Sequence, residues 1–217
     1  AFFDDGSPLG SAANDECRID SIAQSWSVFA GADAERSALA MDAVAARLLR
    51  REDKVLLLLA PPFDRSRPSP GYIQGYLPGV RENGAQYTHA AAWAVQAMAR
   101  LGRGGEALNW FQMINPINHA LCKDDVERYK GEPYAVAGDV FGDGPHLGRV
   151  GWSWYTGAAG WLYQAAVETI LGLQRRGDRL RIDPRIPASW DAYQIDYRFG
   201  STVYEIHVAN PPGVESG

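Results

Sequence analysis

Most of the groups able to do chemistry in this chain gather between residues 70 and 99, in the run PGYIQGYLPGVRENGAQYTHAAAWAVQAMA. A stretch punctuated by Gly and Pro supplies Tyr72, Tyr76, Arg81, Glu82, Asn83, Gln86 and Tyr87, then passes into a helical pattern whose first turn holds Thr88 and His89. Backbone N–H groups and the helix dipole favour an anion at such a place, although a lone His beside a buried helix also serves as a core residue. A second run, GWSWYTG at 151–157, opens onto another apolar helix. There Thr156 offers a hydroxyl and Gly157 lets the backbone approach a ligand closely; the same pair would also make an ordinary helix start. Tyr72, Tyr76, Tyr87, Trp152, Trp154 and Tyr155 flank these polar groups. Aromatic faces with hydrogen-bonding neighbours suit sugar rings, which present C–H faces and hydroxyl edges.

Of the loop carboxylates Asp4, Asp5, Asp15, Glu16, Glu82, Glu132, Asp139 and Asp143, most read as solvated charge. Only Glu82 and Glu132 stand among Tyr, Pro and Asn in the manner of a lined cleft. Metal binding finds no support, because His89, His119, His146 and His207 show no ligand spacing with one another or with the cysteines. The glycines form no phosphate loop with its Lys.

The elements that hold these groups are mainly helical. Asn14 and Asp15 stand where they could cap a helix carrying Ile19, Ile22, Ala23, Trp26, Phe29 and Ala30 at helical spacing up to Gly31. Asp33 restarts the chain as a second helix with Ala34, Ala38, Met41, Ala45 and Leu48 on one stripe, giving an antiparallel helical hairpin. The design returns at 88–101 and 106–114, and Trp26-Ser27-Val28 and Trp93-Ala94-Val95 hold comparable places in the two hairpins. From Ala90 to Ala99 the helix carries no charge, so it belongs inside a protein. A further helix is expected over 156–173. After Gly177 the period changes to two: Leu180 and Ile182, then Ile195, Tyr197 and Phe199, then Tyr204, Ile206 and Val208 alternate with polar residues, as in half-buried antiparallel strands.

With 217 residues, 46% of them hydrophobic and 22% charged, the chain can build a sizeable core. A net charge of −5 provides no basic footprint for nucleic acid, and the longest apolar run, 55–62, is far short of a membrane helix. Cys17 and Cys122 are read as free core thiols of a reducing compartment. The opening AFFDD has neither an initiator Met nor a signal peptide, which reads as a piece of something longer.

The runs FDDGSPLGS (3–11), ECRIDSIAQSW (16–26), LPGVRENGAQYTHAAAWA (77–94), NPINHA (115–120), EPYAVAGDV (132–140) and GWSWYTGAAGW (151–161) occur in order along nearly the whole chain. Together they resemble the C-terminal part of the glycoside hydrolase family 94 phosphorylases, the cellobiose-phosphorylase-like enzymes, and most of all the phosphorylase domain that ends cyclic β-1,2-glucan synthases. The resemblance implies the last helices of an (α/α)6 barrel over 1–176, followed over 177–217 by the first strands of a β-sandwich. It implies an inverting β-glucan phosphorylase, which uses inorganic phosphate where an inverting hydrolase uses water and yields α-glucose 1-phosphate with no cofactor.

Carried over by position, the resemblance assigns phosphate to His89, Thr156 and Gly157, and the acceptor sugar to Tyr76, Arg81 and Glu82, with Arg81 where the cellobiose enzymes carry Lys. Those enzymes also have a phosphate-binding Gln after EPY; here Glu132-Pro133-Tyr134 leads to Ala137, Gly138 and Asp139. The general acid Asp, and an Arg that helps hold phosphate, are expected upstream, so no catalytic residue is assigned in this chain. The implied partners are a β-glucan oligosaccharide, phosphate, the missing N-terminal part and a second copy of the chain. The implied location is cytoplasmic, as the cytoplasmic domain of an inner-membrane synthase. Open alternatives are a sugar-binding module without catalysis and an inverting hydrolase on the same barrel. A cut barrel would leave helix faces such as 90–99 without partners, so the isolated chain is expected to be marginal or oligomeric.

Overall fold

Apolar residues at helical spacing, started by capping carboxylates and stopped by glycines, set the first hairpin. The computed structural model describes residues 2–154 and 156–210. Helix α1 (Ser21–Phe29) is capped by Asp20, whose side chain accepts from the Ile22 N–H at 2.7 Å. Asn14, one of the expected caps, instead accepts from Ser11 and ties its own turn. Asp33 caps α2 (Ala34–Arg47) by accepting from Arg36 N–H at 3.0 Å. The other α-helices among the described residues are α3 (Thr88–Arg100), α4 (Gly104–Ile114), α5 (Lys123–Tyr129) and α6 (Thr156–Gln164), the last continued by a π-helical turn over Ala165–Ile170.

Helix α3 lies at the centre, with α1, α2, α4 and α6 packed on it. From Ala90 to Ala99 every residue is buried except Trp93, which is half-buried and meets Trp26 edge-on at 5.5 Å. The expectation of open faces on this helix is therefore corrected: elements of the same chain already cover it. Its own Val95 and Met98, with Met41, Val44 and Leu48 from α2 and its end, are fully buried, and each such side chain contributes about 1.5–3 kcal/mol relative to exposure. Large apolar groups stand open elsewhere, at Trp26, Leu39 and Tyr163.

Among the described residues, ten strands pair into five antiparallel two-stranded ribbons. In the helical part these are β1 (Ile19–Asp20), β2 (Leu49–Arg50), β3 (Val55–Leu56), β4 (Leu59–Ala60), β5 (Gln86–Tyr87) and β6 (Asp139–Val140), paired β1 with β4, β2 with β3 and β5 with β6. The change of period falls earlier than expected. Gly172, at φ +74, ends the helix, and β7 (Leu173–Arg176) pairs with β8 (Arg179–Ile182) around Gly177, which is a hairpin turn. A Cβ on Gly172 would strike the backbone of Asp183, so only glycine permits that approach.

Strands β9 (Ala192–Phe199) and β10 (Thr202–Ala209) form the last hairpin in continuous register, from Ala192 opposite Ala209 to Phe199 opposite Thr202. Their burial is less than the alternation implies: Ile195, Tyr197, Ile206 and Val208 are half-buried, while Phe199, Val203 and Tyr204 are exposed. The Tyr193 hydroxyl donates to Leu171 O at 2.6 Å and ties this hairpin to the end of the helical layer. Residues 211–217 of the expected second domain, and Tyr155 of the second aromatic loop, lie outside the described residues. Both cysteines are free, and Cys17 is buried with its thiol pushed up to about 12 by burial. Cys122 is exposed just ahead of α5, so it is not the core residue expected.

Candidate functional site

Three strand segments converge at the head of α3. Pairing of β5 with β6 sets Tyr87 opposite Asp139, and on the other side Ala137 bridges Ser153 while Val140 bridges Val150. The Thr88 N–H donates to Gly138 O at 3.0 Å, so the start of α3 is stitched to this ladder. The other N–H groups of that first turn have no acceptor within the helix. Upstream, the loop that carries Arg81 and Glu82 is held by Asn83. This fully buried side chain accepts from Phe63 N–H at 2.7 Å and donates to Phe63 O and Tyr76 O, each at 2.8 Å. Gly79, at φ +80, leans so closely on Asp143 that a Cβ would come within 2.6 Å of its backbone nitrogen.

These constraints enclose a cavity of about 80 Å³ lined by Arg81, Tyr87, His89, Gly138, Asp139, Trp152, Gly157 and Ala158. Residues from both chemically loaded runs, far apart in sequence, thus share one wall. His89 reaches it from α3 and Gly157 from α6; a Cβ on Gly157 would sit 4.0 Å from His89 Nδ1. The His89 ring packs on Trp93 at 4.5 Å and Trp161 at 5.6 Å, and its Nε2 is buried without a partner. Burial lowers its pKa below the usual histidine value, which favours the neutral, N–H-donating ring.

Arg81 is the hinge between the two groups of expected residues. Its guanidinium lies over the Trp152 ring at 4.3 Å and the Tyr76 ring at 5.2 Å, a stacking that suits its planar, weakly hydrated cation. Glu82 Oε2 is 3.9 Å from Arg81 Nε, too far for a hydrogen bond, and is buried without one. Tyr76 and Glu82 thus connect with the cavity through Arg81 rather than lining it. Thr156 is exposed at the first position of α6, beside Gly157 and outside the cavity lining. Glu132 is not part of this wall. It accepts from Trp154 Nε1 at 3.4 Å, with Trp154 edge-on to Tyr134 at 6.1 Å, in an exposed aromatic patch.

One residue here escapes sequence reading. Asp139 is 3% exposed, the reverse of the solvated loop charge expected. Its Oδ1 accepts from Trp152 N–H at 3.0 Å, its backbone oxygen accepts from Gly151 N–H at 2.9 Å, and its Oδ2 is buried without a partner. Burial raises its pKa, outweighing the opposing pull of the Trp152 and Arg81 N–H groups and of the Arg81 charge. Gly151 is required by this arrangement, since a Cβ there would fall inside the carboxyl group. The available signal was a carboxylate within the run AVAGDVF, where apolar neighbours argue against solvent. Among the described residues no group of His, Cys, Asp or Glu could hold a metal ion, and no helix is long and apolar enough to cross a membrane.

Residues 1–172 match the family described as "Glycosyl hydrolase 94 superfamily, catalytic domain". The chain is 53% identical over 96% of its length to a cyclic beta-(1,2)-glucan synthase, NdvB, of Rhizobium meliloti (strain 1021), of which it covers 7%. It is 34% identical over 98% of its length to an N,N'-diacetylchitobiose phosphorylase of Vibrio furnissii, covering 26% of that protein. A 3-O-beta-D-glucopyranosyl-beta-D-glucuronide phosphorylase of Paenibacillus borealis is also 34% identical, over the full chain and 28% of that relative. The chain therefore spans about a quarter of the length of these phosphorylases and a much smaller share of the synthase.

Proposed function

The chain belongs to the glycosyl hydrolase 94 superfamily, and from that premise we propose that it is part of an inverting phosphorylase of β-glucan, of the β-1,2-linked type. The observation that carries the reading is the common cavity of His89, Gly157 and Arg81, with an unpartnered His89 Nε2 in a buried setting. In this reading His89, Thr156 and the Gly157 N–H hold inorganic phosphate at the heads of α3 and α6, where helix termini favour an anion. Tyr76, Arg81 and Glu82 form the edge that receives the acceptor sugar, with Tyr76 and Trp152 offering ring faces.

Phosphate then attacks the anomeric carbon from the side opposite the leaving oxygen, so the β-glucoside becomes α-glucose 1-phosphate. A carboxylic acid protonates the leaving oxygen. That acid belongs to a segment upstream of this chain, and the phosphate is a co-substrate, with no cofactor. The helical layer supplies the last helices of an (α/α)6 barrel, and the ribbons from β7 onward begin a β-sandwich. The partners are a β-glucan oligosaccharide, phosphate, the upstream segment and a second copy of the chain, in a cytoplasmic setting. The 53% identity to the glucan synthase supports the β-1,2 linkage.

The test is the full-length enzyme incubated with β-1,2-linked glucan oligomers with and without phosphate. Release of α-glucose 1-phosphate that depends on phosphate is expected. Release of free glucose at the same rate without phosphate would make it a hydrolase, and oligomer binding without turnover would make it a binding module.

A further inference from the structure

Asp139 supplies the cavity with a group for which the arrangement above has no use. Its carboxyl group is held by the Trp152 N–H on Oδ1, with the Arg81 backbone N–H and charge also drawn to it, and its Oδ2 is buried and makes no hydrogen bond of good geometry. The residue lines the same cavity as His89 and Gly157. A carboxylate there would repel an anionic occupant, whereas a protonated carboxyl offers an O–H donor where the site otherwise has an orphan oxygen. A buried polar atom without a partner costs about 1–3 kcal/mol, which an oxyanion accepting that O–H would recover.

We propose that Asp139 is a phosphate-contacting residue, binding the anion as the neutral acid and donating its O–H to a phosphate oxygen. The proposal rests on the phosphorylase reading and adds a proton to it: the anion binds one protonation state of Asp139 and carries that proton into the complex. The upward shift by burial works in the same direction. The sign follows from linkage. Affinity is full while Asp139 is protonated and falls as pH rises through its titration, by up to about tenfold per pH unit. The other titratable or charged groups facing it are Arg81 and Glu82 from the preceding loop, Tyr87 from β5 and His89 from α3. His89 is shifted downward, so its own loss of charge falls below the usual histidine range.

The probe is sulfate, which keeps its charge over the range and competes with phosphate. Its inhibition constant in the full-length enzyme, wild type and Asp139→Asn, is measured between about pH 5 and pH 8, together with the melting temperature. Asn keeps both the acceptor for Trp152 and a neutral donor at the Oδ2 position. The wild type is expected to lose affinity with rising pH, and Asp139→Asn to bind sulfate with that slope removed. Superimposable slopes in two folded, phosphate-dependent enzymes would overturn the role of Asp139 and leave the phosphorylase reading standing. A wild type with no phosphate dependence at all would overturn both. Should Asp139→Asn not fold, the infrared difference spectrum of the wild type on adding phosphate decides, recorded above the pH at which the sulfate series shows its loss of affinity, where the unliganded carboxyl is ionised. A gained protonated-carboxyl C=O band is expected, and its absence overturns the proposal.

Discussion

His89→Asn is expected to lower phosphate-dependent turnover of the full-length enzyme by about 10²- to 10³-fold, the effect of removing one preorganised donor from a developing anionic centre. The Asn amide reaches only to the level of the imidazole Nδ1, so it withdraws the donor at the Nε2 position, where the native ring ends in a buried and unpartnered nitrogen. Gln extends one methylene further, and His89→Gln is expected to regain part of the loss. Because burial favours the neutral form of the native ring, the deficit should persist above the usual histidine range rather than vanish as the ring deprotonates. A purely packing role, through the contacts with Trp93 and Trp161, predicts something else: both variants melt earlier and keep a normal phosphate KM. That outcome would return His89 to the scaffold.

Asn83→Ala should be the most damaging single change to the loop that carries Tyr76, Arg81 and Glu82, the residues proposed to face the sugar. The side chain is fully buried and makes hydrogen bonds to Phe63 N–H, Phe63 O and Tyr76 O. Removing it strands those groups away from water, and leaving buried polar atoms unsatisfied costs about 1–3 kcal/mol for each. Taking roughly 3 kcal/mol for the site, thermal unfolding should fall by about 6–12 °C at the usual sensitivity of a chain this size. Asn83→Asp keeps the acceptor for Phe63 N–H but turns the donor end into an oxygen facing two carbonyls, and should be no better. A melting temperature for Asn83→Ala in the 217-residue chain within a degree or two of wild type, with the acceptor-sugar KM of the full-length enzyme unchanged by the same substitution, would mean that this network does not hold the loop.

The long elements were legible because each carries its own signal. A 3.6-residue apolar stripe, a capping Asp33 and a stopping Gly102 locate α2 and the end of α3 without any tertiary information. The charge-free run 90–99 announced the central helix, and the alternating residues after 192 announced β9 and β10. The two-residue ribbons were not legible. Val55 to Leu59 is buried throughout, and a continuous apolar run has no period from which to tell strand from helix. The start of β7 was missed because the apolar spacing of α6 continues through Leu173, while the change of direction depends on Gly172 meeting the Asp183 backbone, a contact distant in sequence. The site was legible in part. His89, Gly157 and Arg81 were singled out by residue type and neighbours, and they share a cavity. Asp139 was not, because a carboxylate in a Gly-containing loop reads as solvated unless the strand pairing that buries it is known.

The central claim is that the cavity between α3 and α6 takes inorganic phosphate. The most direct measurement is a crystal structure of the full-length enzyme soaked in phosphate. A phosphate ion within hydrogen-bonding distance of His89 Nε2 and the Gly157 N–H is the expected result. A well-ordered cavity left empty at saturating phosphate, or an anion bound elsewhere in contact with none of these groups, would contradict it.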